Sequence, residues 1–151
     1  MAIQDTIEAA DAVVAILNTL VPTEGAITFE RTFIPEYDPS VLAELVEPAR
    51  GLVFPAAVDL EFASRSTDAE DHIVEVGLAR LLDDEEADTV TQLQTLEEMK
   101  REIRDSDNQV LTGADGNEFQ LKGIAIVLFV PASLRKRVAL SVLRLTYRGF
   151  A

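Results

Sequence analysis

Apolar residues recur at helical spacing in two stretches of the chain and at alternate positions in several others. Ile7, Ala10, Val13 or Val14, Leu17 and Leu20 form a stripe that predicts a first helix, with Asp5 or Thr6 placed to cap it. Val21-Pro22 ends that helix, because the residue before a proline is pushed out of the α region. The stretch from Ala26 to Phe33 largely alternates apolar and polar residues, which is a strand signature. A loop from Pro35 to Ser40 leads into a short helical turn, capped by Asp38 with Pro39 at its first position. Val41, Leu42 and Leu45 give the turn an inner face, and Pro48 closes it.

From Leu52 to Leu82 the pattern is that of a β-meander. Val58, Leu60 and Phe62 alternate with Asp59, Glu61 and Ala63, and Pro55 marks an edge or a bulge. Ser64 to Asp71 is polar and turn-rich. Ile73 to Leu82 is a second β run, with Val74, Val76 and Leu78 on one face. A long helix begins at Asp83-Asp84-Glu85-Glu86, striped by Val90, Leu93, Leu96, Met99 or Lys100, and Ile103. Acids at its front and Lys100, Arg101 and Arg104 at its back complement the helix dipole. Ser106 to Glu118 is a loop with glycine turn signals, and two strands close the chain, Gly123 to Val130 and Val138 to Arg148. Strands joined by hairpins between two helices predict an α+β fold, mainly an antiparallel sheet with two principal helices packed on it. No linker or internal repeat divides residues 1–151, which are expected to form a single domain.

Composition narrows the function classes. The chain has 151 residues, 48% hydrophobic and 26% charged, enough to bury a core without metals or disulfides. With no cysteine, it has neither disulfides nor thiolate chemistry. The N-terminus lacks a basic patch followed by an apolar run, and the longest apolar stretch, Gly123 to Ala132, is too short to cross a bilayer. A soluble, intracellular protein with no membrane association is expected.

Charge is uneven along the chain. Residues 1–99 hold four Arg and no Lys against twenty-two acids, a net of −18, whereas residues 100–151 hold nine basic residues against five acids, a net of +4. So acidic a body argues against nucleic acid as the principal ligand, since phosphate binding needs a positive footprint. The basic end carries the candidate subunit or partner interface, Arg135, Lys136, Arg137, Arg144 and Arg148, which could meet the acidic body of another subunit. The same residues equally fit the solvent face of a C-terminal strand.

Catalytic signatures are missing from the sequence. The single histidine, His72, flanks a strand and is expected at the surface or half-buried; no nucleophile elbow surrounds any serine. No phosphate-binding glycine loop occurs. The run Asp83 to Asp88 suits capping better than cation binding, and Asp105 to Gln109 resembles only the front of a calcium loop, with Val110 where the glycine belongs. No catalytic residue, metal site or cofactor is assigned, and the expectation is a structural protein rather than an enzyme.

The cadence of these segments resembles the tail terminator, or tail-completion, proteins of long-tailed bacteriophages. The resemblance is carried by Arg31-Thr32-Phe33-Ile34-Pro35-Glu36-Tyr37-Asp38, by Ser64-Arg65-Ser66, and by Asp71-His72-Ile73-Val74-Glu75-Val76-Gly77. The long acidic-to-basic helix and the closing Ser141-Val142-Leu143-Arg144-Leu145-Thr146-Tyr147-Arg148 complete it. It implies a homo-oligomeric, usually six-fold ring at the tail-neck junction of the virion, assembled in the host cytoplasm. Such a ring caps the major tail tube protein and joins it to the head-tail connector or stopper protein, and DNA passes through its channel without sequence-specific binding. The alternatives are another neck or minor tail component, such as a head-completion protein, and, more distantly, a small acidic metal-binding module or enzyme.

Overall fold

A computed structural model describes residues 2–20, 27–33, 49–61, 69–113, 116, 118–135 and 137–150. Its elements are α1 (Ala2–Thr19), β1 (Phe29–Arg31), β2 (Ala49–Glu61), β3 (Ala69–Leu81), α2 (Glu85–Arg104), β4 (Val110–Thr112), β5 (Glu118–Val127), the single turn α3 (Pro131–Leu134) and β6 (Val138–Phe150). The six strands form one sheet in the order β1-β2-β3-β6-β5-β4. All neighbours are antiparallel except β1 and β2. The fold is α+β, as the pattern of the chain predicts.

The core lies between the sheet and both main helices. Val74, Val76 and Leu78 of β3 and Leu143, Leu145 and Tyr147 of β6 alternate onto the helix side. There they meet Ala9, Ala10, Val13 and Leu17 of α1 and Leu96, Met99 and Ile103 of α2. Full burial of each large apolar side chain contributes about 1.5–3 kcal/mol, so this double row supplies most of the stability. A smaller cluster, Ala79, Val138 and Leu140, sits on the other face, since these positions have opposite parity along β3 and β6.

Several elements depart from the sequence reading. Helix α1 begins at Ala2, so Asp5 and Thr6 lie inside the helix rather than capping it; Thr6 is buried against the sheet. On α2, Val90 and Leu93 are exposed, and the buried face is Gln92, Thr95, Leu96, Met99 and Ile103. The reason is angular. Steps of three residues fall short of a turn, so Val90 lies about 180° round the helix from Met99. Strand β4 occupies part of the expected loop, and β5 starts at Glu118 rather than Gly123. Strand β3 starts at Ala69, inside the segment read as a turn. The first strand is only three residues long, because it pairs with β2 only from Gly51 to Val53. Pro55 does mark a bulge, with the β2–β3 register shifting between Pro55 and Ala57. The turn assigned to residues 38–48, Pro22, Ala26, Ile34 to Ser40, Phe62 to Asp68, Ala114, Asp115 and Asn117 lie outside the described residues.

The acidic run has a local purpose. Asp84 caps α2 by accepting the Ala87 N–H at 3.1 Å, while the Asp88 carboxylate reaches back to the N–H groups of Asp83 and Asp84 at 2.8 and 2.9 Å. Asp105 to Gln109 closes the same helix rather than forming a cation loop. The Asp107 N–H donates to Asp105, and the Asn108 amide donates to the Glu102 carbonyl.

Strand β1 is held by side chains as well as by its ladder. The Asn18 amide clamps both backbone groups of Phe29, accepting its N–H at 2.9 Å and donating to its carbonyl at 3.0 Å. The Phe29 ring lies over Gly51, where an added Cβ would stand 2.2 Å from the ring. Gly51→Ala is therefore expected to destabilise the protein by about 1–3 kcal/mol, the usual cost of overpacking. A urea unfolding midpoint equal to that of the parent would show that the ring moves aside freely.

Candidate functional site

Four of the five predicted interface residues are described; Lys136 lies outside the described residues. The structure separates the four. Arg144 and Arg148 share the face of β6 away from the helices, where each meets an acid of β3. Arg144 reaches Glu75 at 3.1 Å, and Arg148 reaches both oxygens of Asp71 at 2.8 and 3.2 Å. Lys122 of β5 joins Asp71 at 3.5 Å. The guanidinium of Arg148 holds the Asp71 carboxyl below the ordinary aspartate range, with Lys122 adding to the effect. This face is thus an ionic ladder across three neighbouring strands.

At the other end of β6, Arg137 has a left-handed backbone, φ 60°, which costs a non-glycine residue roughly 1–2 kcal/mol. Its side chain offsets that cost by donating to the carbonyls of Leu82 and Asp83, both at 3.1 Å. Arg135 is exposed beside a pocket of about 400 Å³ lined by Leu82, Glu85, Thr89, Phe129 and Leu134. Arg137, Arg144 and Arg148 are thus engaged within the chain, whereas Arg135 lines this pocket with Glu85.

Among the described residues, the far side of β5 is largely unpaired. Strand β4 covers only Glu118, Phe119 and Gln120, and the last bond on that side runs from the Leu121 N–H to the Gln109 carbonyl at 2.7 Å. Between Lys122 and Val127, β5 has β6 on one side and, among the described residues, no strand on the other. The side chains along this edge are apolar and exposed: Ile126 by 37%, Val127 by 52% and the following Leu128 by 53%. Natural sheets blunt such edges with charge, proline or cover, and from Gly123 to Leu128 this one carries none of the first two. A groove of about 360 Å³ runs beside it, floored by Leu121, Ile124 and Ile126 and rimmed by Lys100, Arg104 and Lys122. An apolar strip with a cationic rim can accept a strand or helix bearing acids at its margin. The sequence predicts a strand from Gly123 to Val130 but not that the strand has a free side. The usable signal was a continuous apolar strand at a sheet edge rather than an alternating one.

His72 is not at the surface. It is 1% exposed, its Nδ1 lies 2.8 Å from the Thr6 hydroxyl of α1, and its Nε2 faces Glu70 at 3.4 Å. Phe119 meets the imidazole edge-on at 5.1 Å. Burial pulls the imidazole pKa below its ordinary value, against the opposing pull of Glu70, Asp5 and Asp71. Among the described residues no serine contacts the ring, so a Ser-His-Asp arrangement does not form there. No described helix is long and apolar enough to cross a membrane. Compared with models of known protein families and with curated protein sequences, the chain matches none.

Proposed function

We propose that this chain is a structural subunit that closes into a homo-oligomeric ring, six-fold as the resemblance to tail terminator proteins implies. The ring would cap a phage tail tube, join it to the head-side connector and leave a channel for DNA. The observation that carries the reading is the apolar edge of β5, unpaired among the described residues, with its cationic rim. An exposed edge is a template for pairing with another chain, and an acidic body provides the complement to the rim. The contact joins unlike surfaces of identical subunits, which is the heterologous geometry that closes rings. The prevailing negative charge also suits a conduit, because DNA slides past an acidic wall rather than adhering to it. The chain acts in this reading by shape and assembly, with no catalytic step.

The test is negative-stain microscopy of phage particles, or of the protein mixed with tail tubes, using a labelled antibody against the chain. A single ring of label at the head-proximal end of the tail is expected. Label elsewhere in the neck would replace this reading with that of a head-completion or other neck component, and no association with any tube would overturn both.

A further inference from the structure

Asp5, Glu70 and His72 come together from two elements distant in sequence, with one possible ligand atom from each lying within 4.8 Å of the others. We propose that they form a binding site for a divalent transition ion of the zinc type, tying the start of α1 to β3. The site is separate from the β5 edge and does not depend on the ring reading.

Four observations support it. Glu70 is almost fully buried, with 8% of its side chain exposed, and its one ionic partner among the described residues is the His72 ring. A carboxylate in that setting needs a compensating cation. The spacing also fits. Two ligands each about 2.0–2.1 Å from a tetrahedral ion stand roughly 3.3–3.4 Å apart, and Glu70 Oε2 lies 3.4 Å from His72 Nε2.

The third observation is the partner of the other ring nitrogen. The tautomer with Nδ1–H donating to the Thr6 hydroxyl, 2.8 Å away, would leave the Nε2 lone pair facing Glu70 Oε2. Metal-bound histidines are oriented in this way by an outer hydrogen bond. The fourth is Gly149, which pairs with Glu70 across β3 and β6; a Cβ there would stand 3.5 Å from His72 Nε2 and 3.2 Å from the Phe119 ring. The absence of a side chain leaves room at the coordinating nitrogen, and Phe119 supplies a dry wall on its other side. One nitrogen and two carboxylate oxygens suit zinc, cobalt or manganese better than calcium, which takes six to eight oxygens.

The test is calorimetric titration of chelator-treated full-length protein with Zn²⁺, alongside thermal melts and the visible spectrum of the Co²⁺ form. One high-affinity site per chain is expected, with Tm raised by roughly 5–10 °C at a hundredfold excess over Kd. Asp5→Asn and Glu70→Gln should each weaken Zn²⁺ binding at least tenfold while the apo protein still melts cooperatively. His72→Gln should abolish the Co²⁺ absorption bands. No heat and no change in Tm with Zn²⁺ would overturn the site. So would binding that survives unchanged in Asp5→Asn and Glu70→Gln, since it would then belong to the acidic surface at large.

Discussion

Replacing Ile126 or Val127 with lysine is expected to abolish ring assembly and leave a folded monomer. The two side chains project to opposite faces of β5, and both are substantially exposed in the isolated chain, so neither substitution opens a cavity in the core. The effect falls on association. A lysine at the centre of an apolar contact must be desolvated without a partner, and it adds charge to a strip already flanked by Lys100, Arg104 and Lys122. Loss of a central interface residue costs about 2–4 kcal/mol, which weakens each contact roughly 30- to 900-fold. A closed ring requires every contact at once, so losses of that size empty the assembled state. Sedimentation velocity at a concentration where the parent forms rings reads the outcome directly. Unaltered circular dichroism and Tm would confirm that only assembly is lost. If both variants sediment as the parent does, the β5 edge is not the contact, and the exposed Val90 and Leu93 on α2 become the surface to alter next.

How much of this was legible beforehand differs by element. The middles of strands β3 and β6 follow directly from alternation, because Val74, Val76, Leu78, Leu143, Leu145 and Tyr147 face the helices and the ladder of Asp71, Glu75, Arg144 and Arg148 fills the opposite face. Helix α2 is legible as a helix through its caps and charge gradient, and Leu96, Met99 and Ile103 are buried as its stripe predicts, but the first half of the stripe is not. Gln92 and Thr95 are polar and yet buried, while Val90 and Leu93 are apolar and yet exposed. Periodicity counts polarity, and here polarity and burial part company for a structural reason, since Gln92 and Thr95 serve a buried arginine. The His72 cluster was hidden for a different reason. Asp5 and Thr6 are separated from Glu70 and His72 by more than sixty positions, and only the packing of α1 on β3 brings them together. The interface set at the basic end was compositionally plain, but composition did not reveal that Arg144 and Arg148 find acids on the adjacent strand.

Gln92→Leu is expected to cost about 2–4 kcal/mol of stability, although leucine is close to glutamine in volume and leaves no large void. The loss comes from the groups left behind. The Gln92 amide donates to the carbonyls of Leu78 and Ala139 at 2.9 and 3.2 Å and to the Ser141 hydroxyl at 3.0 Å, bridging β3 and β6 from the helix above. Its oxygen accepts from Arg80 Nε at 3.2 Å, and Arg80 Nη2 reaches the Thr95 hydroxyl at the same distance. Arg80 is only 6% exposed, so removing one acceptor leaves part of a buried cation short of compensation. The carbonyls suffer less, because each keeps a second lone pair available to the strand ladder. On this account Arg80 is the costly survivor. Pairing the change with Arg80→Met should then recover most of the loss, since replacing both partners by apolar groups is often close to neutral. Urea unfolding of the parent, both single variants and the double variant completes the cycle. A double variant whose loss equals the sum of the singles would show that Arg80 and Gln92 stabilise the protein independently of one another.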